Sequence, residues 1–107
     1  MTPPAPPRAG SPTPREVSDE LRRVVERWHQ LPLDHALSRM PAVRLVVQQL
    51  ADRVAGARGA PSRDVPDLGP AVVMDQLAVM VHDLFVTRPG TDPATVAADL
   101  AGIRHSL

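Results

Sequence analysis

One stretch limits the fold of this chain more than any other: residues 69–86, which read GPAVVMDQLAVMVHDLFV. Its polar side chains are Asp75, Gln76, His82 and Asp83. At 100° per residue these four fall on one stripe of a helix, because each of the pairs 75/82 and 76/83 is seven residues apart. A helix that is apolar around most of its girth is buried centrally or binds a partner. We therefore predict a central helix at about 70–87, with Leu77 deep in the core.

Apolar side chains recur at steps of three and four in three further segments, at about 14–30, 35–58 and 93–105. The ends of these segments carry helix signals. Thr13, Pro14 and Glu16 have the spacing of a capping box, Pro32 ends the first helix, and Asp92 caps the last.

The start of the second helix has two interpretations. Asp34 can cap a helix that begins once and kinks at Pro41, or Ser38 can cap a helix that begins afresh with Pro41 in its first turn. The sequence pattern does not separate them.

These elements predict an all-α protein. A small antiparallel four-helix bundle follows from short connections between amphipathic helices, and three long helices with a short C-terminal helix across one end is the alternative. The loop at 59–68 is long enough to cross one end of a bundle. Residues 1–12 carry five prolines and are expected to form a disordered tail, which leaves residues 13–107 as a single helical domain.

Composition excludes several functional classes. The chain has no Cys, so disulfides and thiolate chemistry are absent. The formal net charge of zero argues against a general nucleic-acid or membrane-surface binder. The N-terminus lacks the apolar core of a secretory signal, and Asp75 and Asp83 interrupt the best candidate for a membrane span. We expect a cytoplasmic protein.

Histidines are the candidate bases near neutral pH. His82 and Asp83 share the polar stripe with Asp75, and His29 and His35 flank the turn at Pro32. None of these has the spacing of a known metal or catalytic motif. We interpret the first group as the solvated stripe of a mostly buried helix, and His29 and His35 as surface residues at a turn. We predict no catalytic, cofactor-binding or metal-binding residues, no cofactor, and a protein that is not an enzyme.

Two sets of residues suggest partners. Spare apolar surface on the second and third helices predicts a protein–protein interface, with a homodimer as one form, through Leu45, Val46, Met74, Val81 and Phe85. Arginines on the first helix could contact an anionic partner, namely Arg15, Arg22, Arg23 and Arg27. The predicted function is a non-enzymatic helical interaction module. The alternative is a small DNA-binding regulator that uses arginines of the first or second helix.

The segments VPDLGPAVVMDQLAVMVHDL (65–84) and RWHQLPL (27–33) resemble short uncharacterised helical proteins of actinobacteria. The absence of Lys beside many Arg, Ala and Pro residues is typical of GC-rich coding. The resemblance implies a source and no activity.

Overall fold

The structure, a computed structural model, describes residues 12–107. The predicted all-α fold is confirmed, because this part of the chain forms four helices and no strand: α1 (Arg15–Gln30), α2 (Leu33–Ala57), α3 (Val73–Thr87) and α4 (Pro93–Ser106). α4 has 14 residues and α3 has 15, so the last helix is about as long as its neighbour and is not the short C-terminal helix of the alternative arrangement. Nearly all of the predicted Pro-rich tail, residues 1–11, lies outside the described residues.

Prolines start the first two helices. Pro14 is the N-cap of α1 with an extended backbone (ψ 148°), and its carbonyl oxygen accepts the amide hydrogens of Val17 and Ser18 at 3.1 and 3.0 Å. The predicted capping box is therefore wrong: α1 has no side-chain cap, because the helix begins one residue later than Thr13 would require. Only the last helix has the predicted side-chain cap, where Asp92 accepts the amide hydrogen of Ala94 at 3.1 Å.

The second helix begins once, at Leu33, and continues through Pro41. Pro32 is its N-cap, with the same extended backbone as Pro14. The Asp34 carboxylate accepts the amide hydrogen of His35 at 2.9 Å. Ser38 caps nothing and instead donates its hydroxyl to the carbonyl of His35 at 2.6 Å, inside the helix. The single start of the first interpretation is therefore confirmed, but its cap is wrong, because Pro32 and not Asp34 is the N-cap.

Residues 59–69, which we call the strap, run back along α2. The strap runs in the opposite direction to α2, because residues further along the strap contact residues nearer the start of α2. The amide of Ala60 donates to the carbonyl oxygen of Ala55. Further along the strap, the amide of Val65 donates to the side-chain oxygen of Gln48 at 2.8 Å. Near its end, the carboxylate of Asp67 lies 3.7 Å from the guanidinium of Arg44. Instead of crossing one end of the bundle, the loop returns the chain to the end where α2 began.

This return makes the closest helix pairs parallel. The Trp28 indole at the end of α1 donates to the carbonyl of Pro70 at 2.9 Å, so α3 starts beside the point where α2 starts, and these two helices pack together. At the same end, Arg27 donates to the backbone oxygen of Leu107, and α4 packs along α1. The expected antiparallel bundle is wrong in this respect: α2 pairs with α3, and α1 with α4, each running in the same direction.

Side chains of all four helices meet in one core. Leu77 is completely buried, as predicted, and Phe85 is the largest fully buried side chain. Within residues 12–107, no helix combines the length and the apolar character needed to cross a lipid bilayer.

Candidate interaction surface

An apolar ridge lies on the solvent side of α2, formed by Leu33, Leu37, Pro41 and Leu45. The exposed fractions of the three leucines are 67%, 51% and 59%, and Pro41 is also exposed. Their spacing of four residues places each side chain beside the next along the helix surface. At 1.5 Å per residue, the ridge is about 18 Å long. It is an ordered row and not a scatter of single exposed hydrophobic residues.

The ridge exists because α2 is apolar on two sides. One side carries Met40, Val43 and Val47 into the core, so the leucines of the other side have no helix to cover them. The strap lies beside the Leu45 end of the ridge, where Gln48 binds it through the carbonyl of Arg63 and the amide of Val65. Strap residues 64–66 line a shallow groove together with Pro41 and Leu45. Leu68, near the end of the strap, is 56% exposed and adds apolar surface.

Pro41 is tolerated within the helix because it lies on this exposed side. Proline has no amide hydrogen, so the carbonyl of Leu37 lacks the donor that the fourth residue along a helix normally supplies. On a solvent-facing surface water can satisfy that oxygen, whereas in the core it would be costly. The ridge therefore includes a proline that the core side of the same helix would not accept.

The predicted interface residues fall into two groups. Leu45 is on the ridge, and Val46 is half-buried against the core. Met74, Val81 and Phe85 are buried, so the prediction that they contact a partner is wrong for the folded chain. The sequence showed that the helix is apolar around most of its girth, and packing against the rest of the fold covers the part that carries these three side chains.

Three of the four predicted arginines contact neighbouring groups on α1 or the backbone oxygen of Leu107. Arg22 lies 3.9 Å from both Asp19 and Glu26, and Arg23 lies 3.0 Å from Glu20. Arg27 donates to the backbone of Leu107 at 3.4 Å, and Arg15 is exposed at the start of α1. The outer face of α1 is consequently mixed in charge and not a basic stripe.

Glu20 was not identified from the sequence as a buried residue. Its side chain is buried between α1 and α4, where the Arg104 guanidinium and Arg23 both donate to its carboxylate. Burial by itself raises the pKa of this carboxyl group, but the hydrogen bonds and charges of the two arginines outweigh burial and lower the pKa below 4.5. A signal was present: Glu20 lies three residues after Val17 and four before Val24, on the apolar seam of α1.

The histidine groups do not assemble into a site. His82 is exposed, with its Nδ1 atom 3.5 Å from the Asp83 carboxylate, and Asp75 lies about 10 Å along the same helix. His35 contacts the backbone oxygen of Leu107 through Nε2 at 2.9 Å, whereas His29 is exposed. Within residues 12–107, no three acidic or imidazole side chains come close enough together to hold a metal ion.

Among the open grooves that flank α2, two separate it from a neighbouring helix, and neither was predicted. One, of about 750 Å³, separates α2 from α4 over a floor that includes Val46, Leu100 and Ile103. The other, of about 550 Å³, lies under the strap between α2 and α3, where Val79 and Met80 meet the carboxylate of Asp83. Both are depressions in the surface and not enclosed cavities.

Comparison of the chain with models of known protein families, with curated proteins and with solved structures gives no match. The case for a function therefore depends on the surfaces described above.

Proposed function

We propose that this protein is a non-enzymatic helical interaction module that associates with a second copy of itself through the ridge of α2. The observation that carries the proposal is the row formed by Leu33, Leu37, Pro41 and Leu45 at four-residue spacing on one helix, in which each leucine is more than half exposed. Burying such side chains against a partner is favourable by about 25 cal/mol for each Å² of apolar surface removed from water.

The geometry of the row suits a helical partner. Rows of side chains spaced by four residues form the ridges that fit into the grooves of another helix in the commonest class of helix packing, at a crossing angle near −50°. A second copy carries the same row, so the two surfaces can bury each other in a symmetric contact. The mixed charges on the outer face of α1 favour this reading over the alternative of a DNA-binding regulator, which needs a basic surface.

A contact made of four side chains from each copy is at or below the roughly 1,200 Å² lower end of stable interfaces, so the dimer should be reversible. We would measure the molar mass by light scattering up to about 1 mM protein, the weak end of specific association, at two salt concentrations. We expect a mass that rises with protein concentration and depends little on salt. The double variant Leu37→Ser, Leu45→Ser should remain monomeric.

The matched control is Val79→Ser, Val86→Ser, which alters two exposed apolar side chains on α3. It should associate as the natural chain does. A natural chain that is monomeric throughout, or a ridge variant that still associates normally, would refute the proposal. DNA binding that weakens steeply with salt would support the alternative instead.

A further inference from the structure

We infer that the two copies pair with their α2 helices antiparallel, about a twofold axis level with residue 39, so that Leu33 of each copy lies level with Leu45 of the other. This inference rests on the proposed function and specifies its partner geometry. It depends on the positions of the ridge residues and of two charged side chains beside them.

The ridge is symmetric about its midpoint. Leu33 and Leu45 lie six residues on either side of residue 39, and Leu37 and Pro41 lie two residues on either side. Antiparallel pairing therefore sets a leucine at each end of one ridge against a leucine of the partner copy. It also sets Leu37 level with Pro41 of the partner copy. The Arg39 side chain does not interfere, because at 100° per residue it points away from the ridge.

Charge distinguishes the two possible directions. Asp34 and Arg44 flank the ridge, five residues on either side of the same midpoint, and both are exposed. Antiparallel pairing brings each Asp34 carboxylate level with an Arg44 guanidinium of the partner copy. Parallel pairing would bring Asp34 level with Asp34 and Arg44 level with Arg44. Like charges at a contact disfavour the parallel form, and rim charges of this kind set orientation more than affinity.

Both charged groups are available for such an interaction. Arg44 lies 3.7 Å from Asp67 of the strap, with 43% of the arginine side chain exposed, so its guanidinium can turn to a partner at little cost. Asp34 accepts one hydrogen bond, from the amide of the adjacent His35, which leaves carboxylate lone pairs facing solvent.

The absence of cysteine in the chain allows a direct test. We would prepare Leu33→Cys and Leu45→Cys separately and treat each alone, and then their mixture, with a short bismaleimide crosslinker. In the antiparallel dimer, residue 33 is about 18 Å along the axis from residue 33 of the partner copy, so each variant alone should stay uncrosslinked. The mixture should give a covalent dimer. A mixture of Val79→Cys and Val86→Cys is the matched control and should give none.

The outcomes separate this inference from the proposed function. Self-crosslinking of Leu33→Cys and of Leu45→Cys would overturn the antiparallel arrangement while leaving ridge-mediated association intact. An associating chain without crosslinks in the mixture would also overturn it. A monomeric natural chain would instead refute the proposed function.

Charge reversal gives an independent readout that does not depend on crosslinking. Asp34→Arg alone and Arg44→Asp alone should each weaken dimerisation several-fold, because each places like charges at both ends of the antiparallel contact. The double variant should restore the affinity of the natural chain. In a parallel dimer, which already has like charges level with each other, neither single change would weaken association, and that result would overturn the inference.

Discussion

The contact between α1 and α4 and the ridge of α2 depart from the usual distribution of residues in opposite ways. The first buries a carboxylate, Glu20, and the second exposes three leucines. Glu20 can be buried because Arg23 and Arg104 satisfy its oxygens and its charge. The leucines are exposed because the other three helices pack elsewhere on α2 and the strap lies beside the ridge without covering it. The difference shows that neighbouring elements, and not residue type, determine which side chains are buried here.

The largest effect on stability is expected when a leucine of the core, rather than a leucine of the ridge, is replaced by alanine. Leu77→Ala should lower the free energy of unfolding by roughly 2–5 kcal/mol, because it removes a fully buried side chain and leaves a cavity. At protein concentrations low enough to keep the chain monomeric, Leu45→Ala should change the free energy of unfolding by less than about 0.5 kcal/mol. Urea denaturation of both variants measures this directly. Equal losses would mean that the ridge belongs to the core.

The next effect concerns the buried carboxylate. Glu20→Gln should destabilise the fold by about 1–3 kcal/mol, because it removes the negative charge from charge-assisted hydrogen bonds to two arginines. We expect the lower part of this range, because the side chain of Arg23 is 55% exposed and solvent screens its charge. Glu26→Gln, on the exposed side of α1, is the matched control and should stay within about 0.5 kcal/mol of the natural chain. A Glu20 variant as stable as that control would show that the buried ion pairs contribute nothing net.

The same carboxylate predicts a pH dependence. The pKa of Glu20 is lower in the folded chain than its ordinary value of 4.5, so the unfolded chain binds the proton more readily. Its contribution to stability is therefore complete above pH 4.5 and decreases as the pH falls from there through the folded pKa. Urea denaturation across this range should show the stability gap between the natural chain and Glu20→Gln narrowing with acid. A gap that stays constant or widens would contradict the lowered pKa.

The smallest effect on stability is expected at Gln48, the residue of α2 that binds the strap. Gln48→Leu removes the side-chain hydrogen bonds that hold the strap at Arg63 and Val65, and should cost about 0.5–1.5 kcal/mol. Hydrogen exchange at the Val65 amide should become faster, because that amide donates to the Gln48 oxygen. Gln49→Leu, at an exposed neighbouring position, is the control. Unchanged exchange at Val65 would mean that backbone packing alone holds the strap.

The positions of the helices could be predicted because their signals are local. Steps of three and four between apolar residues, a proline near the start of each of three helices and the Asp92 cap are all properties of a few adjacent residues. The starts were less exact. For example, α3 begins at Val73 because Pro70 and the two residues after it form a turn.

The candidate surface was only partly predictable. Leu45 was identified because it lies off the main seam of α2, whereas Leu33 was missed because the predicted helix began at about residue 35. Leu37 lies within the predicted helix but was not identified as part of an exposed row. Met74, Val81 and Phe85 were assigned to the surface because a sequence pattern shows that a helix face is apolar without showing what covers it. Glu20 was missed for the converse reason, since its ion-pair partner Arg104 is 84 residues away.

By itself, the sequence determined the all-α class, the four helices and the central place of Leu77, because backbone hydrogen bonding and the spacing of apolar residues act over short distances. The tertiary structure decided the path of the strap, the parallel pairing of α2 with α3, the burial of Glu20 and the exposure of the ridge. These features depend on which segments meet after the chain turns back on itself, and contacts between distant residues leave little trace in any local pattern.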